Sequence, residues 1–359
     1  MTTSIAPGSD RVWLDVDLGA LVANARTVAA AAGVPLLPMI KADAYGLGVV
    51  PIARALDAID PWGFGLATLD EAAELRAAGV ARPLLVFSPL EPGQAERCLA
   101  LDLRPLICDL PGLDAWLGQT SAPFHLGVDT GMGRVGFHWT DPDLIGAVAE
   151  RLRGAPGWEG IATHFHSADG DVAATARQWR RLEDVIAALP RRPQLVHAAN
   201  SAAALRSRAF AGDLVRPGIF LYGGRAGAEA PVPRTVAALR ARIVAVRRVA
   251  AGETVSYGAT WTADVPTTIA TLALGYGDGF HRSGGNRARV ELNGRIVPVV
   301  GRITMDFTMV AVLDGKVRPG EVATIFGGAV SLDDHAAALD TISYEVLTSL
   351  SRRVVRRYH

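Results

Sequence analysis

The chain has 359 residues, and 50% of them are apolar, which is enough for one domain of barrel size and a second, smaller one. Lysine plus arginine and aspartate plus glutamate both number 36, so the formal net charge is zero. This balance gives no basic excess for nucleic acid, and we expect no nucleic-acid partner. No uninterrupted apolar run is long enough to span a bilayer, so we also expect no membrane partner.

The N-terminal stretch MTTSIAPGSDR has neither a charged n-region nor an apolar h-region, so we expect no signal peptide. Cys98 and Cys108 form no CxxC pair and have no metal-ligand spacing, which suits a reducing compartment. We therefore expect a cytoplasmic protein.

The first two thirds of the chain alternate between helical patterns and short apolar runs without period-2 alternation. The first helical stripe, from Leu18 to Val28, stops at Gly33, and the stretch TLDEAAELRAAG repeats this pattern. The runs typical of strands buried on both faces are Leu36–Ile40, Gly63–Ala67, Leu84–Phe87, Pro105–Cys108, Phe124–Val128, Glu159–Thr163, Gln194–His197 and Leu214–Arg216.

Apolar runs that alternate with helices predict a parallel sheet. About eight such units in roughly two hundred residues favour an α/β fold of the closed (β/α)8 barrel type. The alternative is an open doubly wound sheet. No G-x-G-x-x-G follows the first run, which weakens a dinucleotide-binding version of that alternative.

The pattern changes near Arg234, where segments rich in β-branched residues begin and Gly and Pro separate them. Asn293-Gly294, between RARVEL and RIVPVV, predicts a two-residue hairpin. We expect a barrel domain over residues 1–234 and a mainly β domain over residues 235–359. The early segment VWLDV, near residues 12–16, is a candidate strand of the second domain.

Chemistry in a barrel of this type sits where the strands end, at their C-terminal face. Each residue there also has a plain structural interpretation: a solvated charge for Lys41, a core histidine for His164, and a helix N-cap for Ser201. Together they describe a polar, partly basic cup. The residues at or just after the runs are Lys41, Ser88, Asp109, Asp129 with Arg134, His164, Asn200 with Ser201, and Arg216.

Phosphate sites of such barrels commonly use the loops after the seventh and eighth strands. Here Ser201 offers a hydroxyl at a helix start, and Gly218 lets backbone N–H groups approach an anion. Lys41, one of only two lysines in the chain, lies opposite, which suggests covalently held pyridoxal phosphate. His164 and His166 invite a metal interpretation, but no third ligand is evident, so we expect no metal.

Eight motifs in order across both domains resemble the motif series of bacterial alanine racemases. They are MIKADAYGLG, HLGVDTGMGRVG, THFHSAD, HAANSAA, RPGIFLYG, VSYGATW, LALGYGDGF and GRITMDF. The resemblance implies a barrel with a β domain, and a homodimer whose active sites are shared between subunits. It also implies a pyridoxal 5'-phosphate enzyme that interconverts L- and D-alanine and supplies D-alanine for the bacterial cell wall.

By resemblance, Lys41 would carry the cofactor on its amine. The residues that would hold the cofactor phosphate are Tyr45, Ser201, Gly218, Ile219 and Tyr344. Asp169 and Arg302 would lie along the corridor through which substrate enters.

The resemblance also assigns the reacting end of the cofactor. Arg134 would bond its phenolic oxygen and the substrate carboxylate, with the Met305 backbone also near that carboxylate. Arg216 would face the pyridine nitrogen. Tyr276, from the other subunit, would bond His164.

Racemisation needs a base on each face of the α-carbon, one to remove a proton and one to return it. By resemblance, Lys41 serves one face and Tyr276 the other. A guanidinium only donates, so a pyridine nitrogen facing Arg216 must stay an unprotonated acceptor. This weakens the ring as an electron sink and disfavours leakage into transamination.

The sequence departs from the family at Gly127, where members often have a carbamylated lysine that orients the arginine equivalent to Arg134. We hypothesise that a bound anion such as chloride, or a carboxylate from elsewhere, compensates beside a buried Arg134.

Three alternative functions stay open. One is racemisation of serine or another amino acid, because one methylene gives only about 1–3 kcal/mol of discrimination. Another is a decarboxylase of the same fold, although its cysteine-containing loop is not apparent. The third is a cofactor-binding protein without catalysis, against which the presence of both Lys41 and Tyr276 argues.

Overall fold

The computed structural model describes residues 10–91, 93–313 and 315–359. The segment 1–9, where we expect no signal peptide, lies outside the described residues. Among the described residues, no helix is both long and apolar enough to cross a bilayer.

The N-terminal part alternates strands and helices along the chain. Its strands are β1 (Val12–Val16), β2 (Phe64–Leu66), β3 (Leu84–Val86), β4 (Leu103–Ile107), β5 (Phe124–Asp129), β6 (Phe137–His138), β7 (Trp158–Ala162) and β8 (Leu195–His197). Its helices are α1 (Leu18–Ala32), α2 (Lys41–Gly46), α3 (Val49–Asp57), α4 (Leu69–Ala77), α5 (Ala95–Ala100), α6 (Leu110–Leu117), α7 (Pro142–Leu152), α8 (Val172–Ala188) and α9 (Ser201–Arg206).

Strands β2, β3, β4, β5, β7 and β8 pair in parallel in that order. Two further segments, 36–40 and 214–216, close the sheet. Leu36 bridges Val215 and Met39 bridges Gly65, both in parallel, while the Arg216 N–H donates to the Ala199 carbonyl just after β8 at 2.8 Å. The sheet is therefore a closed barrel of eight parallel segments. The expected (β/α)8 barrel is confirmed, and the open doubly wound alternative is excluded.

The C-terminal part is mainly β. Its strands are β9 (Ala237–Val249), β10 (Thr254–Val255), β11 (Trp261–Thr262), β12 (Thr267–Leu272), β13 (Arg289–Leu292), β14 (Arg295–Pro298), β15 (Thr308–Val312), β16 (Val322–Phe326) and β17 (Val355–Tyr358). It also contains two short helices that the sequence pattern does not predict, α10 (Leu332–Ala338) and α11 (Ser343–Thr348).

The long strand β9 organises the C-terminal part, because it pairs with β1, β12 and β16. The N-terminal strand β1 also runs parallel to β17, so the two ends of the described chain share one sheet. Strands β13 and β14 pair up to Leu292 and Arg295, which leaves a two-residue loop. Asn293 and Gly294 in this loop have φ of 51° and 73°, as a type I′ turn requires, so the predicted hairpin is confirmed.

Candidate active site

Lys41 directly follows the first barrel segment and begins α2, which is a left-handed turn. Ala42, Asp43, Ala44 and Tyr45 have φ between 52° and 57°. Such a run is rare, because left-handed helix costs non-glycine residues about 1–2 kcal/mol each. Tertiary contacts must therefore stabilise the turn that places Lys41 and Tyr45 in one cavity.

Two carboxylates hold this turn. Glu71 accepts the backbone N–H of Ala42 at 2.7 Å with one oxygen and that of Ala67 at 2.7 Å with the other. Glu71 also completes a capping box with Thr68 at the start of α4. Asp43 accepts the backbone N–H of Val49 at 2.6 Å. The end of β2, the start of α4 and the Lys41 turn are thereby joined through one side chain.

A cavity of about 260 Å³ opens at the C-terminal ends of the barrel strands. Its volume, near the lower end of the roughly 300–1,000 Å³ of small-molecule sites, suits a cofactor with one ring and one phosphate. The lining residues are Met39, Lys41, Ala42, Tyr45, Phe87, Arg134, His164, Asn200, Ser201, Arg216, Gly218, Tyr344 and Thr348.

One side of the cavity presents neutral hydrogen-bonding groups. The Ser201 hydroxyl accepts the Gly218 N–H at 2.9 Å, and a Cβ on residue 218 would lie 2.3 Å from the Tyr45 hydroxyl. Burial raises the pKa of the Tyr344 phenol to about 12 and that of Tyr45 still further, so both phenols stay protonated donors at neutral pH. Ile219 is buried next to Gly218. These groups lie together, as the expected phosphate cradle requires, and phosphate binding stays a prediction.

Arg216 is buried, and its guanidinium is almost fully engaged. Nη1 donates to the His197 carbonyl at 2.7 Å and to His197 Nδ1 at 2.9 Å. Nη2 donates to the carbonyls of Thr163 at 2.7 Å and Ala198 at 3.1 Å, and lies 3.3 Å from His164 Nδ1. Among the described residues, only the Nε–H has no partner. One donor is thus left for a ring-nitrogen acceptor in the cavity.

The opposite side of the cavity is positively charged. Burial lowers the pKa of the Lys41 amine, and the charges of Arg134 and Arg216 lower it further, while Glu71 opposes them. A larger fraction of neutral amine makes Lys41 a better nucleophile and base. Burial and the charges of Arg216, Arg134 and Lys41 lower the pKa of His164 to about 3. His164 is therefore neutral at physiological pH.

Arg134 lines the cavity but is exposed, so the expectation of a buried guanidinium is wrong for the single chain. Its guanidinium has no hydrogen bond or ion pair with any described residue, although its backbone N–H donates to Asp129. The oxygen of Asp129 accepts the N–H groups of Gly131 at 2.8 Å and Gly133 at 3.1 Å, which shapes the loop before Arg134. Asp129 therefore acts on the loop backbone, and no described carboxylate replaces the missing negative charge.

The surroundings of Gly127 explain why a long side chain is absent there. A Cβ on residue 127 would lie 2.8 Å from Cys108 Sγ and 3.3 Å from the Leu106 side chain. A neighbouring cavity of about 60 Å³ reaches from Gly127 to Arg134 and Arg216. This cavity is a place where the hypothesised anion could bind beside Arg134. The binding of an anion there stays a prediction.

Three expected site residues lie outside the cavity, on the C-terminal part of the same chain. Tyr276 and Met305 are 44% and 54% exposed. The loops that carry them are joined, since the N–H groups of Tyr276 and Gly277 donate to Thr304 and Met305 at 3.0 and 2.9 Å. Arg302 packs against Gly258 instead. Asp169 lines an adjacent pocket that also reaches His164.

Other polar strand-end residues have structural roles. Asp109 caps α6 through the Gly112 N–H at 2.7 Å, and Ser88 does not line the cavity. The N-cap of α9 is Asn200, not Ser201, which corrects the plain interpretation of that serine. His166 Nδ1 lies 2.7 Å from the Ser167 hydroxyl. No group of three or more metal-ligating side chains occurs in the described part of the chain.

The side chains that support the site are not predicted from the sequence. Glu71 belongs to an ordinary helix-start pattern, and His197 ends an apolar run and begins HAANSAA without any signal of a role in the site. His125 and Glu159 lie within apolar runs on β5 and β7 and carry no local motif. Their inward direction in the barrel could be inferred only from strand register.

The fold and site define a class: a parallel barrel in which a lysine of lowered pKa and a group of neutral hydrogen-bonding side chains line one cavity. Family models for the N-terminal and C-terminal domains of alanine racemase match residues 16–226 and 236–358. The chain belongs to the alanine racemase family, and the expected resemblance is confirmed.

Individual relatives agree with this assignment over nearly the whole chain. It is 39% identical to alanine racemase of Acidiphilium cryptum, over 96% of this chain and 98% of that protein. The structure of alanine racemase from Streptomyces coelicolor has a TM-score of 0.92 at 32% identity, with 99% of each chain covered. That from Bartonella henselae, with covalently bound pyridoxal phosphate, has a TM-score of 0.91 at 28% identity, covering 97% of this chain and 99% of that one.

The left-handed turn predicts opposite effects of glycine at two alanines. Ala42→Gly removes a Cβ from a left-handed residue and should leave the free energy of unfolding unchanged or raise it by up to about 1 kcal/mol. The control Ala30→Gly, at an exposed position of right-handed α1, should lower it by about 1 kcal/mol. Urea unfolding at fixed protein concentration measures both. If both variants lost the same free energy of unfolding, the left-handed turn would not be strained at Ala42.

Contact with Cys108 predicts that Gly127→Ala lowers the free energy of unfolding by about 1–3 kcal/mol through overpacking. Cys108→Ala in the same chain should restore part of this loss, which a double-mutant cycle measures. Gly146→Ala is the control, because no atom lies within 4 Å of its new Cβ and it should not destabilise α7. Additive effects of the two substitutions would refute the proposed steric exclusion.

Proposed function

We propose that this chain interconverts L-alanine and D-alanine with Lys41 and Tyr276 as bases on opposite faces of the α-carbon. The observation that carries the proposal is the cavity in which Lys41 faces Arg216 and the Tyr45–Ser201–Gly218 cradle. Family membership supports it. The chain is a pyridoxal-phosphate racemase of the alanine racemase family, and we assign roles to its residues as follows.

The residues present fit pyridoxal phosphate. The neutral donors of Tyr45, Tyr344 and Ser201 suit its phosphate, and the free Nε–H of Arg216 suits an unprotonated ring nitrogen. Lys41 supplies the amine for the covalent bond. When bound, the cofactor supplies the electron sink that acidifies the substrate α-hydrogen.

Substrate orientation requires a positive charge at the cavity mouth. Arg134 is available there, because no described residue pairs with it, and a guanidinium binds a carboxylate in bidentate geometry. The backbone of Met305 would approach the same carboxylate. With the substrate so fixed, the Lys41 amine removes or returns a proton on one face, and the Tyr276 phenol acts on the other.

The second base requires a second copy of this chain. Tyr276 and Met305 are exposed apolar side chains on joined loops, and Phe307 beside them is 42% exposed. None of them lines the cavity of their own chain. A homodimer that places these loops over the partner's cavity would bury them, bring Tyr276 to His164 and cover Arg134.

We also propose two domains, residues 1–234 and 235–359, with Val12–Val16 contributed to the second through its pairing with β9. The corridor for substrate would run past Asp169 and Arg302. A cytoplasmic location is supported by the two cysteines, which are free and buried. D-alanine for cell-wall synthesis is the product that this reaction would supply.

Incubation of the pyridoxal-phosphate enzyme with L-alanine in D2O tests the reaction. We expect D-alanine by chiral chromatography and deuterium at the α-carbon of both enantiomers. Release of CO2 would indicate a decarboxylase instead. Racemisation of serine but not of alanine would indicate a racemase with a different substrate. Retention of the α-hydrogen with no D-alanine would overturn the proposal.

Tyr276→Phe should slow interconversion by roughly 10²–10⁴-fold in both directions, because removing a general acid–base group has this effect and the equilibrium constant between enantiomers is fixed. Deuterium should still enter one enantiomer, since Lys41 remains. Tyr257→Phe, at a 71% exposed tyrosine, controls for loss of a surface hydroxyl. Unchanged interconversion would remove Tyr276 from the mechanism.

Mixing two inactive variants tests the shared site. Lys41→Ala and Tyr276→Phe homodimers each lack one base at every site. After dissociation and random reassociation of equal amounts, about a quarter of wild-type activity should return, because half of the dimers are mixed and each holds one intact site. No recovery, with mixed dimers present by mass spectrometry, would show that each site uses one chain.

A further inference from the structure

A line of polar side chains leads away from the cavity through the interior of the barrel. Arg216 Nη1 lies 2.9 Å from His197 Nδ1, and His197 Nε2 lies 2.8 Å from His125 Nδ1. His125 Nε2 lies 3.1 Å from Glu159 Oε2. These side chains come from the eighth barrel segment and from β8, β5 and β7, and only Arg216 reaches the cofactor cavity.

The chemistry of the first member sets the direction of the whole line. A guanidinium has no acceptor, so His197 Nδ1 must accept and His197 must carry its proton on Nε2. That proton is donated to His125 Nδ1, which places the remaining His125 proton on Nε2. The last donor faces the Glu159 carboxylate, an acceptor. Every hydrogen bond therefore runs from Arg216 towards Glu159, and both imidazoles are neutral.

The pKa shifts in this line agree with two neutral imidazoles between the positive charge of Arg216 and the negative charge of Glu159. Burial and nearby positive charge lower the pKa of both His125 and His197. Burial alone would raise the pKa of the Glu159 carboxyl, but the hydrogen bond from His125 and the charge of Arg104 hold it below its ordinary value. Glu159 therefore stays ionised at neutral pH.

The surroundings leave room for this line and exclude water from it. His125 and His197 are fully buried, and the rings of Trp62 and Phe87 lie 5.7 and 6.4 Å from them. On β7, a Cβ on residue 160 would lie 2.5 Å from His125 Nδ1, so Gly160 leaves the space in which the imidazoles meet.

Arg216 needs such an arrangement because its charge is buried without a direct partner. It forms no ion pair with any described residue, and a buried charge is costly unless it is paired or fully hydrogen-bonded. The line connects it through two imidazoles to Glu159, at 19% side-chain exposure. This resembles the way a buried carboxylate orients a histidine and stabilises positive charge beyond it.

We propose that Glu159 is a positioning residue for the racemase site: it is the remote counter-charge of Arg216 and holds His125 and His197 in a single donor direction. If the direction reversed, His197 Nδ1–H would face an Arg216 N–H, and the guanidinium would move from its place beside the cofactor ring. The proposal rests on the proposed function only in naming the cofactor that Arg216 faces.

A purely structural alternative exists, because Glu159 Oε2 also accepts from Arg104 Nε at 3.2 Å. In that case Glu159 would matter only for an ion pair near the end of the barrel. Arg104→Met breaks the ion pair and leaves the acceptor of His125 in place, so it is the matched control. Glu159→Leu removes the acceptor, Glu159→Gln keeps an acceptor without charge, and Gly160→Ala separates the imidazoles while Glu159 remains.

The first measurement is the tautomer of each histidine, from ¹⁵N NMR of the histidine-labelled holoenzyme with assignment by single substitutions. In the wild type we expect His125 and His197 both protonated on Nε2 only. Glu159→Leu and Gly160→Ala should give mixed tautomers, Glu159→Gln an intermediate pattern, and Arg104→Met the wild-type pattern. A wild-type Nδ1–H on either ring, or wild-type tautomers in Glu159→Leu, would overturn the proposal.

The second measurement is retention of pyridoxal phosphate, followed by cofactor absorbance after dialysis. Glu159→Leu and Gly160→Ala should weaken retention about tenfold, the effect expected when one buried hydrogen bond is left unsatisfied. Arg104→Met should not change it. Equal losses in Arg104→Met and Glu159→Leu would favour the structural alternative. If Glu159→Leu does not fold, Glu159→Gln and Gly160→Ala decide by the same criteria.

The two proposals fail separately. A wild-type enzyme that shows the expected tautomers but racemises no alanine would refute the proposed function and leave the role of Glu159 standing. A wild-type enzyme that racemises alanine with His125 protonated on Nδ1 would support the proposed function and refute the role of Glu159.

Discussion

The hydrogen bonds that close the barrel are the constraint on which the site depends. Leu37 and Met39 in the first segment donate to Val215 and Pro217 at 2.8 Å each, which fixes the first and last segments side by side. Lys41 follows the first segment directly, Arg216 ends the last segment, and Gly218 lies two residues beyond it. Residues that are about 175 positions apart therefore face one another across a small cavity, and an open sheet would separate them.

Closure of the barrel sheet does not by itself direct the Lys41 side chain into the cavity, because the chain must turn sharply after the first segment. The four left-handed residues of α2 cost roughly 4–8 kcal/mol together, comparable with the net stability of a whole domain. Glu71 and Asp43 offset this cost, because Glu71 accepts the Ala42 N–H within the turn and Asp43 accepts the N–H of Val49 at the start of α3. Strain at such a position is typical of functional sites whose surroundings determine the geometry.

The sequence predicts most of this arrangement because barrel strands carry strong local signals. All eight apolar runs lie at barrel segments, and Lys41, Tyr45 and Ser201 line one cavity as expected. The left-handed turn could not be predicted, because Ala, Asp and Tyr normally avoid it and only tertiary contacts impose it. Nor could the line of His125 and Glu159, since strand register decides which buried polar side chains meet.

The charge distribution supports the proposal that the reaction uses two chains. Lys41, Arg134 and Arg216 concentrate positive charge at the cavity, and burial in that field keeps His164 neutral. Such a site suits a phosphate and a carboxylate, and Lys41 is the one described residue lining it that we propose as a base. The phenol that could serve the other side is exposed on the C-terminal part. Dimerisation would therefore complete the chemistry and, in the same step, cover the unpaired Arg134.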